Sequence, residues 1–335
     1  STAQSRAIIE QVSPEINCGR FYAKRTVGET FTVEADIFAD GHDIVAGELQ
    51  YRHEKSRKWM PVRFEEIRND RWQASFPIEK QGFYHYRLEA WVDYALTWQH
   101  NLKRKADDGQ FVQVEIQDGV QYLAHLSKVA GAKANAQISE WMALFQDPHQ
   151  YEAAKAVALS EALHDLFVAF PSKDFSVVYD HKLRVYADRK KARFSAWYEF
   201  FPRSASPEPG RHGTFKDCEN LLPRVAEMGF DTLYFPPVHP IGEVHRKGKN
   251  NATTAQPDDV GSPWGIGSKY GGHKEIHPEL GTLEDFRSLI RAAEKLGIEI
   301  AMDFALQCAP DHPYVKEHPQ WFRWRPDGSV QYAEN

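Results

Sequence analysis

Two capped helices, each closed by a glycine that precedes an apolar strand, constrain the fold of the second part of this chain. Thr214 with Asp217 and Thr282 with Asp285 form capping boxes ahead of helical apolar patterns. The strand DTLYFPPVHP follows the first helix, IEIAMDFAL follows the second, and FSAWYEFF precedes both. Strands that alternate with helices in this order are typical of parallel βα units.

We interpret residues 193–335 as the first three βα units of a (β/α)8 TIM barrel. A complete barrel of this type needs about 250 residues, so we expect the barrel to be incomplete in this chain. Pro223 lies inside the first helical pattern. Because proline has no backbone N–H, we expect it near the first turn of the helix or at a kink.

The residues ahead of the βα pattern alternate in polarity and are interrupted by turn residues. Segments such as RWQASF and FYHYRLEAWV carry apolar residues at every second position. This pattern predicts an all-β sandwich domain over 1–117, completed by an extended segment in 171–192. Between 118 and 170, Ala-rich stretches such as YEAAKAVALSEALHDLFVAF predict a helical insert domain. The chain is therefore predicted to be multidomain.

Composition excludes several classes of function. The net charge of −6 provides no basic field for nucleic acid. Three cysteines, odd in number and far apart, predict neither a disulfide framework nor a zinc site and fit a reducing cytoplasm. No leader or membrane segment is recognised at the first residues or elsewhere. Metal-site, nucleotide-binding and serine-nucleophile motifs are absent, so we predict no cofactor and no metal.

The loop after the second strand is the most informative stretch, because it carries several cations and amides. RKGKNN brings together Arg246, Lys247, Asn250 and Asn251. At the carboxyl end of a parallel strand, cations and amides in one flexible loop suit a phosphate or several hydroxyl groups. The alternative interpretation is a solvated surface loop, because short basic runs are often only surface.

The end of the third strand and a tryptophan in the loop supply three more candidates. Asp303 and Gln307 of MDFALQCAPDHP lie near the same edge. Asp303 either faces a pocket or is a structural anchor satisfied by hydrogen bonds. Trp264 of GSPWGIG either stacks on a sugar or fills the interior of the loop.

Several motifs along the chain are shared with a known family. They are ARFSAWYEFFPRS, GFDTLYFPPVHPIG, RKGKNN with PDDVGSPWGIGS, HPELGTLEDFRSL and IAMDFALQCAPDHP. In these motifs the chain resembles the α-amylase superfamily (glycoside hydrolase family 13) and, within it, the α-1,4-glucan:maltose-1-phosphate maltosyltransferase family. The most specific feature is that Asp303 is followed by Gln307 and Cys308, where the superfamily at large has Asn-His. The β region and the helical insert also resemble that family's N-terminal domains.

The resemblance implies a cytoplasmic, homodimeric transferase of glycogen or α-glucan biosynthesis. It would move a maltosyl unit from maltose 1-phosphate to the non-reducing end of an α-1,4-glucan, with retention and release of phosphate. The positions that match donor-binding residues are Lys247, Gln307 and Asn335, and supporting positions are Asp303, Arg246, Asn250, Asn251 and Trp264. The resemblance also implies that residues 193–335 include the start of a small domain that the family inserts after the third strand. The family's catalytic Asp and Glu follow the fourth and fifth strands, so we expect no catalytic residue in this chain and no turnover by it alone.

Two alternatives remain open at this point. The first is another retaining α-glucan enzyme, such as a branching enzyme or an amylase, which acts without a sugar phosphate. The second is a non-catalytic fragment that binds glucan or forms a dimer. The donor used by the protein separates the first alternative from the maltosyltransferase hypothesis.

Overall fold

The computed structural model describes residues 5–331. The chain forms two compact units, which divide between Arg193 and Phe194. Each unit has a hydrophobic core of its own. Within the described residues, no helix is both long enough and apolar enough to cross a membrane.

The strands of the first unit form two sheets. They are β1 (Ala7–Ser13), β2 (Ala23–Thr26), β3 (Thr30–Ala39), β4 (Val45–His53), β5 (Met60–Arg63), β6 (Glu65–Arg68), β7 (Arg71–Pro77), β8 (Gly82–Val92), β9 (Val177–Val178) and β10 (Leu183–Asp188). One sheet has the order β1-β3-β7-β6, and the other has the order β2-β10-β8-β4-β5 with β9 paired to β8. Of these pairs, only β10 with β2 is parallel. Parallel neighbours need a long connection, and the intervening chain provides it.

Both sheets contribute to one hydrophobic core. β3 buries every second residue from Phe31 to Ile37, and β8 does the same from Tyr84 to Ala90. Both sets of side chains belong to the same cluster. The hydroxyl of Tyr86 donates to the Pro14 carbonyl at 2.8 Å, which satisfies its polar end inside the core. The alternation seen in the sequence is therefore the inward face of these strands.

A helical region with its own core follows β8. Its helices are α1 (Tyr94–Asp107), α2 (Gln113–Asp118), α3 (Val120–Val129), α4 (Ala132–Gln146), α5 (Tyr151–Ala158) and α6 (Glu161–Ala169). The helices thus begin at Tyr94, and the predicted boundary at 117 and 118 was wrong. Asp93 is the reason, because its carboxylate accepts a hydrogen bond from the Leu96 N–H at 3.0 Å and caps α1. Trp98 and Leu102, one turn apart, then face the helical core.

The second unit is built on three parallel strands. Its elements are β11 (Trp197–Glu199), α7 (Phe215–Glu227), β12 (Thr232–Phe235), α8 (Leu283–Lys295), β13 (Glu299–Met302) and α9 (Pro313–Glu317). The sheet has the order β11-β12-β13. Both predicted capping boxes are formed. Pro223 lies in the second half of α7 and not in its first turn. It is exposed, so water can bond the carbonyl that proline leaves unpaired.

Asp217 is the acidic residue of the first capping box, and its charge is tied to the stability of α7. The Arg211 guanidinium donates to its carboxylate at 3.0 and 3.1 Å, and the Thr214 N–H donates at 2.9 Å. Arg211 and then Thr214 hold the pKa of Asp217 below its usual value. Because the folded pKa is the lower one, the stabilisation is complete above the unfolded pKa of about 4 and is lost as the pH falls through the folded pKa.

We expect Asp217→Asn to lower the free energy of unfolding of the second unit by about 1 to 3 kcal/mol at neutral pH. The difference from wild type should shrink as the pH falls below about 4. Urea unfolding with hydrogen exchange in α7 measures both effects. Glu227→Gln, exposed on the same helix, is the control and should change little. A loss that is independent of pH would contradict the role given to the Asp217 charge.

Candidate functional site

Polar side chains of the second unit collect where β12 and β13 end. The connection 236–282 leaves the carboxyl end of β12, and the segment 303–312 leaves the carboxyl end of β13. Because the two strands are parallel, both segments start at the same edge of the sheet. This edge is where parallel α/β proteins place their ligand sites.

A cleft of about 510 Å³ opens between these two segments. Lys247 and Trp264 line it from the first segment, and Gln307 lines it from the second. Trp321 and Phe322 add an aromatic wall from a later part of the chain. Lys247 and Gln307, which the sequence analysis selected from different loops, therefore share one cavity.

Lys247 supplies an unengaged positive charge to this cleft. The side chain is exposed, and within residues 5–331 its ammonium group makes no hydrogen bond or ion pair. The nearby Lys249, by contrast, lies 3.7 Å from the Asp258 carboxylate. An ammonium group without a protein partner at the wall of a cleft is available to an anionic ligand.

Arg246 has a different role from its neighbour, because its guanidinium is used inside the loop. It donates to the carbonyl groups of Gly242, Asp259 and Ile241 at 2.8, 3.0 and 3.1 Å. Through Arg246, these bonds join Ile241 and Gly242, at the beginning of the loop, to Asp259 further along it. Arg246 therefore stabilises the loop that carries Lys247.

Lys247 also lines a second cleft, of about 390 Å³. Asn250 and Asn251 line this second cleft, and both residues have left-handed backbone angles with φ of 55° and 62°. Lys247 and Trp264 line both clefts. The run RKGKNN is thus divided: the two asparagines lie with Lys247 in the second cleft and do not line the cleft that contains Gln307.

Asp303 and Trp264, which the sequence left ambiguous, contact each other. The Trp264 indole N–H donates to the Asp303 carboxylate at 2.7 Å, and the Phe201 ring meets the indole edge-on at 5.9 Å between centroids. Burial, followed by the Asp303 carboxylate, raises the pKa of Tyr234 to about 12. Asp303 is therefore a structural anchor, and Trp264 is held as the wall between the two clefts.

Among the described residues of this unit, two clusters bring three metal-ligating atoms within 4.8 Å of one another: His273, Cys308 and His312, and His212, His277 and Glu279. In each cluster one histidine accepts a backbone N–H at Nδ1: His312 from Tyr314 and His277 from Glu279. A neutral ring that accepts at Nδ1 carries its proton on Nε2, the nitrogen that faces the other members. A metal would need that nitrogen deprotonated, so the pattern suits hydrogen bonding rather than metal binding.

Burial keeps these two rings uncharged. It lowers the pKa of His277 to about 4, with the neighbouring His212 as the next cause. Burial and then His273 lower the pKa of His312 to about 4. Both rings are therefore neutral at physiological pH and add no charge beside the Lys247 cleft.

Some residues of the site were not found from the sequence. Trp321 was not among the predicted site residues, although its ring stacks on His318 at 4.0 Å between centroids and lines the cleft. The aromatic run WFRW was the available signal. The contact of His273 with His312 had no signal, because it joins separate loops. Asn335, the third predicted donor contact, lies outside the described residues.

The fold and the site together define a class. The second unit is a parallel α/β structure that carries a polar and aromatic cleft at the carboxyl edge of its strands, where enzymes built on parallel α/β folds place their ligand sites. The comparisons with known proteins narrow that class. The family described as "Alpha-1,4-glucan:maltose-1-phosphate maltosyltransferase, domain N/S" matches residues 5–189. The chain belongs to the α-1,4-glucan:maltose-1-phosphate maltosyltransferase family.

Individual relatives agree with this assignment. A protein of Chlorobaculum tepidum named α-1,4-glucan:maltose-1-phosphate maltosyltransferase is 50% identical, over 98% of this chain and 49% of its own length. A protein of the same name from Methylacidiphilum infernorum is 46% identical, over 99% of this chain and 50% of its own. The chain thus spans about half the length of these relatives. Among solved structures, an α-amylase from Lactobacillus plantarum is 33% identical with a TM-score of 0.34, covering 42% of this chain and 29% of that one.

Arg246→Met tests whether the loop depends on the three carbonyl contacts. We expect faster hydrogen exchange across 240–262 and a local destabilisation of at least about 2 kcal/mol, because three carbonyl acceptors lose their charged donor. Arg291→Met is the matched control, since among residues 5–331 the guanidinium of this exposed arginine of α8 is hydrogen-bonded and ion-paired only to the exposed Glu284. If exchange in the loop were the same in both variants, Arg246 would not be what stabilises it.

Proposed function

We propose that this chain is part of an enzyme that transfers a maltosyl unit from maltose 1-phosphate to the non-reducing end of an α-1,4-glucan, in glycogen or α-glucan biosynthesis. One observation carries the proposal: Lys247 and Gln307 line the same cleft at the carboxyl edge of β12 and β13. The names of the relatives supply the substrates. The chain covers about half of those relatives, so the activity is proposed for the complete protein.

The chemistry of the cleft suits a sugar phosphate. A phosphate leaving group is stabilised by cationic and hydrogen-bonding groups placed where its charge develops. The Lys247 ammonium supplies that charge, and the Gln307 amide offers a donor and an acceptor for sugar hydroxyl groups. Trp264 and Trp321 provide aromatic surface on the walls for the apolar face of a sugar ring.

Transfer with retention needs two carboxyl groups about 5 Å apart, one as nucleophile and one as general acid and base. We assign these groups to the fourth and fifth strands of a complete (β/α)8 barrel in which β11, β12 and β13 are the first three. The parallel order of the three strands and the two helices between them support this assignment. The two sheets around one core in the first unit support a β-sandwich ahead of the barrel.

We further propose a homodimer in the cytoplasm, with no metal or cofactor. The cysteines Cys18, Cys218 and Cys308 are all free, which fits a reducing compartment. The homodimer rests on the family resemblance. A net charge of −6 supports a small-molecule and glucan partner rather than nucleic acid.

Lys247→Ala in the complete protein tests the donor site. We expect the KM for maltose 1-phosphate to rise about 10- to 100-fold, because a charge-assisted contact to the phosphate is lost. The KM for the glucan acceptor should stay within about twofold, since this cation is not needed for a neutral glucan. Phosphate release under steady-state conditions measures both values.

Lys295→Ala is the control, because Lys295 ends α8 and is exposed outside both clefts. Equal rises in the KM for donor and for acceptor, or no rise in either, would favour the alternative interpretation, in which Lys247 belongs to a solvated surface loop. Glucan rearrangement or hydrolysis by the wild-type protein without any sugar phosphate would instead indicate a branching enzyme or an amylase.

A further inference from the structure

Two histidines beside the cleft form a continuous chain of hydrogen bonds. The Tyr314 N–H donates to His312 Nδ1 at 3.0 Å. His312 Nε2 lies 2.9 Å from His273 Nδ1, and His273 Nε2 lies 2.7 Å from the Ala305 carbonyl oxygen. These hydrogen bonds therefore connect the start of α9 to the segment that follows β13.

The direction of this chain is fixed at both ends by backbone groups. A backbone N–H can only donate, so His312 accepts at Nδ1 and carries its proton on Nε2. His312 then donates to His273 Nδ1, which leaves the His273 proton on Nε2 to be donated to the Ala305 carbonyl. Every group is satisfied with both rings neutral, so the pair is a built connection rather than two incidental loop histidines.

The position of the His312 ring is also fixed by its packing. The residue is 1% exposed. Gly267 and Gly272 approach the ring so closely that a Cβ atom at either position would collide with it. Because the ring has no room to rotate away, His312 is a rigid support for His273.

The hydrogen-bond chain ends at the Ala305 carbonyl, close in sequence to Gln307, the candidate donor-binding residue. Ala305 is two residues ahead of Gln307, and two residues after it the Ala309 N–H donates to the Ile266 carbonyl at 2.6 Å. Between these two attachments the Leu306 side chain is 77% exposed. The Cys308 thiol donates to the Leu306 carbonyl at 3.7 Å, inside the same segment, so neither side chain hydrogen-bonds to another part of the unit. Gln307 therefore depends on the two backbone attachments, and His273 makes one of them.

We propose that His273 and His312 are positioning residues that hold Gln307 in place through the Ala305 carbonyl. The proposal rests on the proposed function, in which Gln307 binds the sugar phosphate. Neither His273 nor His312 is among the described residues that line the cleft. Their effect must reach the donor through the backbone, so it must vanish when the Gln307 side chain is removed.

The test is a double-mutant cycle in the complete protein with Gln307→Ala. His273→Phe removes both hydrogen bonds of the ring, and we expect it to raise the KM for maltose 1-phosphate about 5- to 50-fold with little change in the KM for the acceptor. His273→Gln, whose amide again offers a donor and an acceptor, should restore most of the loss. In the Gln307→Ala background, His273→Phe should add less than about twofold.

His273→Asn gives an independent measurement, which can be made even when His273→Phe does not fold. The asparagine amide can accept from His312, as Nδ1 does, but is too short to reach the Ala305 carbonyl. We expect the same rise in donor KM as for His273→Phe, which would locate the effect at the Ala305 end.

The outcomes separate the two proposals. Effects of His273→Phe and Gln307→Ala that multiply, or a wild-type donor KM in the histidine variants, would overturn the positioning role while leaving the function in place. Failure of the wild-type protein to release phosphate from maltose 1-phosphate would overturn the function and, with it, this role of the histidines.

Discussion

The parallel pairing of β12 with β13 is the constraint on which the site depends. The register runs from Thr232 opposite Glu299 to Phe235 opposite Met302, so both strands end at the same level. Two loops that are remote in sequence then leave from one edge and enclose a common cleft. The pairing is stabilised from one face by α7 and α8, whose Leu222 and Leu289 are buried with β12 in one core. Without this register, the segments that carry Lys247 and Gln307 would not meet.

The polar groups near this edge fall into two sets. Arg246, Asp303 and His312 are bonded to backbone or side-chain partners within the protein, as buried or partly buried polar groups must be. Lys247 and Gln307 are exposed at the cleft and are not used in this way. The first set makes the loops rigid, and the second set is presented to a ligand. Preorganisation of this kind reduces the ordering that binding must otherwise cost.

Much of the fold followed from local rules that the sequence displays. The capping boxes before α7 and α8 and the alternation in β3 and β8 are local patterns, and the structure confirms them. The start of the helical region was wrong because the strand pattern was extended past Asp93, a residue whose capping role was overlooked. The parallel pairing of β10 with β2 has no local signal, since it joins distant segments.

The site could be predicted only in part, because only some of its features are local in the sequence. Residue type and position relative to the strand ends selected Lys247 and Gln307, which do share a cleft. The sequence does not show which polar side chains form hydrogen bonds within the protein and which are left for a ligand. Arg246 bonds to backbone carbonyl groups, which every residue has, and the contacts of Trp264 with Asp303 and of His273 with His312 join different loops. These roles depend on tertiary structure alone.

The most direct measurement is a crystal structure of the complete protein with a non-hydrolysable phosphonate analogue of maltose 1-phosphate. The account predicts a phosphonate oxygen within hydrogen-bond distance of Lys247 Nζ, about 2.7 to 3.2 Å, and a sugar hydroxyl group at the same range from the Gln307 amide. An analogue bound elsewhere, with Lys247 and Gln307 both in contact only with water, would contradict it.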